Sequence, residues 1–172
     1  MLRLILVYLV FVCSNFGFSQ NNSSIDFIIK NLGINVDGHF NTFTINTEFD
    51  ADNQLTEILS KIEVASIETG IDSRDEHLLK EDYFHQEKHE YITLQSTSIK
   101  KESTTEYLIS ANLTIKGKTK VISIPVKVQK TDSGRTKITS YFEINRSDFD
   151  VGGGSFVMSK TVKINVTHYH EQ

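Results

Sequence analysis

Residues 107–128 read YLISANLTIKGKTKVISIPVKV, and this stretch decides the fold. Tyr107, Ile109, Ala111, Leu113 and Ile115 occupy every second position, as do Ile122, Ile124, Val126 and Val128. A period of two places one row of side chains on each face of a β-strand, so each run buries one face and wets the other. Between the runs, Lys116-Gly117-Lys118 is short enough to join them as a hairpin. Working outward, Phe43, Ile45, Thr47 and Phe49 alternate in the same way, and so do Val162, Ile164 and Val166. Turn signals stand between such runs at Asn31-Leu32-Gly33, Asp37-Gly38, Asp132-Ser133-Gly134 and Gly152-Gly153-Gly154. The pattern predicts roughly eight strands in an all-β antiparallel sandwich or barrel. Two stretches depart from it. Asn53 to Leu59 reads as a helical turn or two. Residues 73–84 read as a short helix over the sheet, with Ser73 as N-cap, Glu76 reaching back, and Leu78, Leu79 and Phe84 as its apolar side.

The 172 residues carry 18 basic and 22 acidic side chains, a formal charge of −4, which excludes the cationic surplus that nucleic acid requires. A 38% hydrophobic content suffices for a core, and a single cysteine forms no internal disulfide or Cys-x-x-Cys site. The chain opens with Arg3, an unbroken apolar run from Leu4 to Cys13, and small residues at Gly17 and Ser19. This predicts a secretory leader over residues 1–19, cleaved near Ser19, and a single domain over residues 20–172 in the periplasm or outside the cell. The run is shorter than the ~20 residues of a membrane span.

No motif supports an enzyme. His85 and His89 have the spacing of a zinc-protease helix, but Gln86 stands where the general base belongs. His168 and His170 would share one face of a strand near Glu171, a metal site only with a third ligand from elsewhere. Arg74-Asp75-Glu76-His77 is a charge cluster that a solvated helix start explains. No Gly-x-Ser-x-Gly elbow occurs, and no Lys-Ser or Lys-Thr follows Gly152–Gly154 as a phosphate loop needs. Neither a cofactor nor a resident metal is expected.

Several runs together carry a family resemblance: Phe27-Ile28-Ile29-Lys30-Asn31-Leu32-Gly33, Gly38-His39-Phe40, Ser66-Ile67-Glu68-Thr69-Gly70, Arg74-Asp75-Glu76-His77-Leu78, Leu113-Thr114-Ile115-Lys116-Gly117-Lys118-Thr119-Lys120 and Ile144-Asn145-Arg146-Ser147-Asp148-Phe149. Ile92-Thr93 and Ser96-Thr97 fall between them, and in this order and spacing the set resembles the YceI-like family. The resemblance implies an extended, lipocalin-like, eight-stranded antiparallel β-barrel with one or two short helices. It also implies an interior pocket that binds a polyisoprenoid or other long-chain amphiphilic lipid in the periplasm. Strands of ~10 residues at ~3.3 Å each make a tunnel of ~30 Å, and burying each methylene gains ~0.8 kcal/mol before association costs. Hydrophobic sequestration alone is then a sufficient mechanism.

Strand alternation assigns the inward positions. They are Phe27 and Ile29, Phe43 and Ile45, Ile62 and Val64, Ile92 and Leu94, Ile109 and Leu113, Ile124, Phe142 and Ile144, and Val162 and Ile164. A hollow barrel and one filled by its own side chains share this pattern. The expected partner is therefore a long-chain lipid, with transient contact to a membrane or membrane protein and a homodimer as further partner readings. The alternatives are a solid barrel serving as a protein-interaction or stress-response module, and a metal-binding protein built on the histidine pairs.

Overall fold

The computed structural model describes residues 23–170. The leader expected over residues 1–19 lies outside them. Ten strands form one antiparallel sheet: β1 (Ser24–Asn31), β2 (Ile34–Phe40), β3 (Phe43–Phe49), β4 (Leu55–Glu63), β5 (Ile67–Glu68), β6 (Tyr91–Lys101), β7 (Glu106–Ile115), β8 (Lys118–Lys130), β9 (Thr136–Asn145) and β10 (Met158–His170). The order across the sheet is β3-β4-β6-β7-β8-β9-β10-β1-β2-β5, curled into a half-barrel. The expected count of eight is corrected to ten. β5 has two residues, too few to show a period, and β4 takes Leu55 to Leu59 of the stretch read as helical from Asn53 to Leu59.

The 107–128 hairpin forms as read, pairing Ile115 with Lys118 across Lys116 and Gly117, both at positive φ. Leu32-Gly33 makes the equivalent two-residue turn between β1 and β2, with φ of 51° and 79°. Both are the turn whose twist matches that of the flanking strands. Asp37-Gly38, in contrast, is no turn but mid-β2, with Gly38 paired to Phe27. The chain's one proline, Pro125, stands beside Val126, where the ladder between β8 and β9 ends. Proline has no N–H to extend a ladder.

The sheet ladder does not run full circle. β3 meets the far end of β10 through side chains instead: Thr47 Oγ1 and His170 Nδ1 are 2.8 Å apart, and the Phe49 and His170 rings lie 4.9 Å apart, edge to face. The helix α1 spans Asp72–Leu78, half the length expected, and its N-cap is Ile71 with no side-chain cap, so the Ser73 capping box does not form. Asp75 turns away from the helix end to accept from the Thr69 N–H and Oγ1–H. Leu78, Leu79 and Phe84 then pack on the core as the apolar side expected of this segment, and Tyr83 joins them. Two clusters of buried side chains fill the molecule. One, around Ile62, Val64, Ile92, Leu113 and Phe149, lies toward α1; the other, around Leu55, Tyr107, Ile109, Ala111, Ile124 and Ile138, packs the far end.

Candidate lipid-binding site

The interior that these clusters line is hollow. A cavity of about 450 Å³ opens beneath α1, bounded by β1, β2, β10 and the segment 73–84. A second, of about 130 Å³, continues toward the far end among β4, β6, β7, β8 and β9. Phe40, Ile92, Ile115, Ile144 and Ile164 face both, so the two lie end to end along the barrel. The larger one falls within the ~300–1,000 Å³ of small-molecule sites, which are concave, apolar and supplied with few polar groups.

The narrowing has a cause in the sequence. Toward β4, β7 and β8 the inward positions hold Ile58, Ile109, Ile124, Val126 and Ile138, all buried, and they close on one another with Ala111 fully enclosed. Toward α1, Gly38 leaves room for the Phe27 ring to lie against β2, and a short helix over the opening replaces a fully packed lid. The far cavity carries Thr47, Ser60, Thr139, Ser140 and His168 among aliphatic walls. The Ser60 hydroxyl is buried there without a hydrogen-bond partner among the described residues. His168 Nδ1 lies 3.2 Å from Ser23 Oγ.

Polar groups gather at the α1 end. Asn31, Ser73, Arg74, His77 and Arg146 line the larger cavity, and among the described residues no carboxylate does. Arg74 donates from Nε to Thr69 Oγ1 and from Nη2 to the Thr69 carbonyl. Thr69 is held in turn by Asp75, so the guanidinium is fixed at the rim. His77 sits 3.5 Å from Asp82 and stacks edge to face on Tyr83 at 4.9 Å. Arg146 is buried and donates to the carbonyls of Val151, Gly153, Met158 and Ser159. Burial lowers its pKa, yet an arginine stays charged. Its four carbonyl partners make it a clamp between the 146–149 turn, the 152–157 loop and β10. Asp150, at φ 53°, is held by the β7–β8 hairpin: Lys118 pairs with its carboxylate and Lys116 donates to its carbonyl. The Lys118 hydrogen bond, more than any other cause, holds its pKa down.

Thirteen of the fifteen residues assigned to the interior line one or both cavities. Phe27, Ile29 and Val162 face the larger; Ile45, Ile62, Leu94, Ile109, Leu113, Ile124 and Phe142 face the smaller; Ile92, Ile144 and Ile164 face both. Phe43 and Val64 do not. Val64 lies past the end of β4 in a single 3-10 turn and is packed solid at 1% exposure, while Phe43 rests against the core from the start of β3. The inward assignment omitted Ile25 and Val126, which keep the same period one step along β1 and β8; it placed nothing on β2, where Phe40 faces both cavities, and it missed the rim from α1, which no strand period reaches. As for metal, the rings of His85 and His89 are 5.8 Å apart, and no cluster of three metal-ligating side chains occurs among the described residues.

Comparison with known proteins places this geometry. The family model described as a YceI-like domain matches residues 16–168. A UPF0312 protein of Staphylococcus aureus is 29% identical over 168 residues, covering 90% of this chain and 95% of that protein. One of Photorhabdus laumondii is 35% identical over 100 residues, 57% of this chain and about half (52%) of the relative's length. Among solved structures, BcnA of Burkholderia cenocepacia superposes with a TM-score of 0.80 at 23% identity, over 87% of this chain and 96% of its own. A polyisoprenoid binding domain from Saccharophagus degradans superposes with a TM-score of 0.69 at 19% identity, over 87% and 94% of the two chains. A curled antiparallel sheet around an apolar hollow, matched by the family model over nearly the whole described chain, makes this protein a member of the YceI-like family.

Proposed function

We propose that this protein binds, and stores or carries, a polyisoprenoid or similar long-chain amphiphile without catalysing its conversion, in the periplasm or outside the cell after loss of the leader. The observation that carries this reading is the pair of end-to-end apolar cavities, which the protein's own side chains leave open. The tail runs from the larger space toward the narrow one, and the polar end stops at the rim where Arg74, His77 and Asn31 stand. With arginines and no carboxylate lining that cavity, an acidic or hydrogen-bond-accepting end is favoured over a cationic one. The structural likeness to a polyisoprenoid binding domain supports the ligand class. Methylene contacts discriminate weakly, so chain length is read loosely.

The test is organic extraction of the protein purified from its native host, followed by mass spectrometry. One apolar chain per protein molecule is expected. An empty extract, together with no uptake of a long isoprenoid alcohol by the purified protein, overturns the reading and favours a module that works through its outer surface.

A further inference from the structure

Of the ten large apolar side chains exposed among the described residues, five, Leu32, Ile34, Ile71, Phe156 and Val157, stand within three residues in sequence of residues that line the larger cavity. Leu32 and Ile34 follow its wall residue Asn31, Val157 precedes Met158, and Ile71 lies two residues before Ser73. They sit on three separate tips: the β1–β2 turn, the 152–157 loop and the entry to α1. The Leu32 N–H donates to the Val157 carbonyl at 2.9 Å, which ties two of the tips together.

Folding rewards none of this. Leu32 takes a left-handed φ of 51°, where a leucine costs about 1 kcal/mol more than glycine or asparagine, and it is 72% exposed besides. Phe156 has its whole side chain in water. Polar residues would make the same turns at lower cost, so the apolar choice points to an external contact.

We propose that these tips are a membrane-docking surface, inserting into the apolar boundary of a lipid bilayer and holding the cavity opening against it. The inference rests on the lipid-binding reading. A bilayer fits better than a folded partner because the exposed apolar side chains sit at turns and loops, and because the chain runs from them straight into the lining of an apolar cavity at Asn31, Ser73 and Met158. A water-insoluble chain can then pass between bilayer and barrel without crossing solvent. Lys30 and Lys160, exposed on β1 and β10 just behind the tips and without an ion-pair partner among the described residues, add attraction to anionic headgroups. Asp72 and Glu76 lie on the α1 side, so that attraction is confined to the β1–β10 side.

The chain contains no tryptophan, which gives the test a local reporter. Phe156→Trp is mixed with vesicles of three parts phosphatidylcholine to one part phosphatidylglycerol, with and without brominated acyl chains. The emission is expected to shift to shorter wavelength and to be quenched by the brominated lipid, while Tyr141→Trp on the outer wall of β9 stays unquenched. The combined variant Leu32→Asn, Phe156→Ser, Val157→Ser is expected to lose vesicle binding by about tenfold or more and still to take up a detergent-dispersed isoprenoid alcohol. A local reporter separates this surface from any attachment through the apolar run at residues 4–13. An unquenched Phe156→Trp overturns the proposal, as does a shift that depends on protein concentration alone, which assigns the tips to self-association. If isoprenoid uptake fails while Phe156→Trp is quenched, the docking surface stands and the carrier reading falls.

Discussion

A Cβ placed on Gly38 would lie 2.3 Å from Cζ of Phe27 and 2.9 Å from the Glu68 carbonyl, so the aromatic ring and the β2–β5 pairing both depend on a missing side chain. Gly38→Ala is expected to push the Phe27 ring into the larger cavity and to cost about 1–3 kcal/mol, the range for overpacking a core. In thermal unfolding that is a fall of about 2–12 °C at ~2–4 °C per kcal/mol. A variant as stable as wild type would show that the ring has another place to go. Single residues were also where the sequence was least informative. Asp37-Gly38 has the composition of a turn, and only the partner strand reveals that the glycine serves an aromatic across the ladder. In sequence, Arg146 and Arg74 are both simply arginines within the runs that carry the family resemblance, yet one is buried among four carbonyls and the other is held at a rim by a threonine. No local pattern distinguishes the two, because the acceptors come from distant segments.

At the scale of elements, legibility followed length. β7 and β8, long and alternating, could be placed with the hairpin that joins them, although the turn is Lys116-Gly117 alone and Lys118 already belongs to β8. The two-residue β5 and the seven-residue α1 could not, since a short element owes its form to what it packs on more than to its own propensity. The segment after α1 ends in His89, whose ring fills the space above Gly117 in the β7–β8 turn. Burial, more than the nearby Lys88, His85 and Lys116, lowers the His89 pKa below 6.5. The unfolded chain therefore takes up this proton first as pH falls. The contribution is complete above about pH 6.5 and is lost as pH drops through the lower folded value. Denaturant unfolding at pH 7.5 and pH 5 is expected to show the wild type losing more stability on acidification than His89→Gln. Equal losses would mean that this ring is as free to charge in the fold as out of it.

Across the whole molecule, the alternating pattern left a sandwich and a barrel both open, and the family resemblance that pointed to a barrel left undecided whether its interior is filled. The answer lies in volumes: Ala111 and its isoleucine neighbours close one end, while the larger cavity stays open under a short helix. Ile164 on β10 faces both spaces and stands where a tail must pass from one to the other. Replacing it with tryptophan fills existing space, so the ligand-free protein is expected to unfold within a few degrees of wild type. A ligand that binds only the folded state adds about 2.7 kcal/mol at a hundredfold excess over its Kd, a rise of about 5–10 °C for a chain of this size. Wild type stripped of lipid and refilled with a long isoprenoid alcohol is expected to show that rise, and Ile164→Trp to show little or none of it. Should the variant keep the full shift, the ligand does not thread the barrel, and the cavities would have to be read as packing defects with the chain bound elsewhere. Should it lose the shift while a short-chain alcohol still stabilises it, the larger cavity alone is the binding site and the narrow end sets the length it accepts.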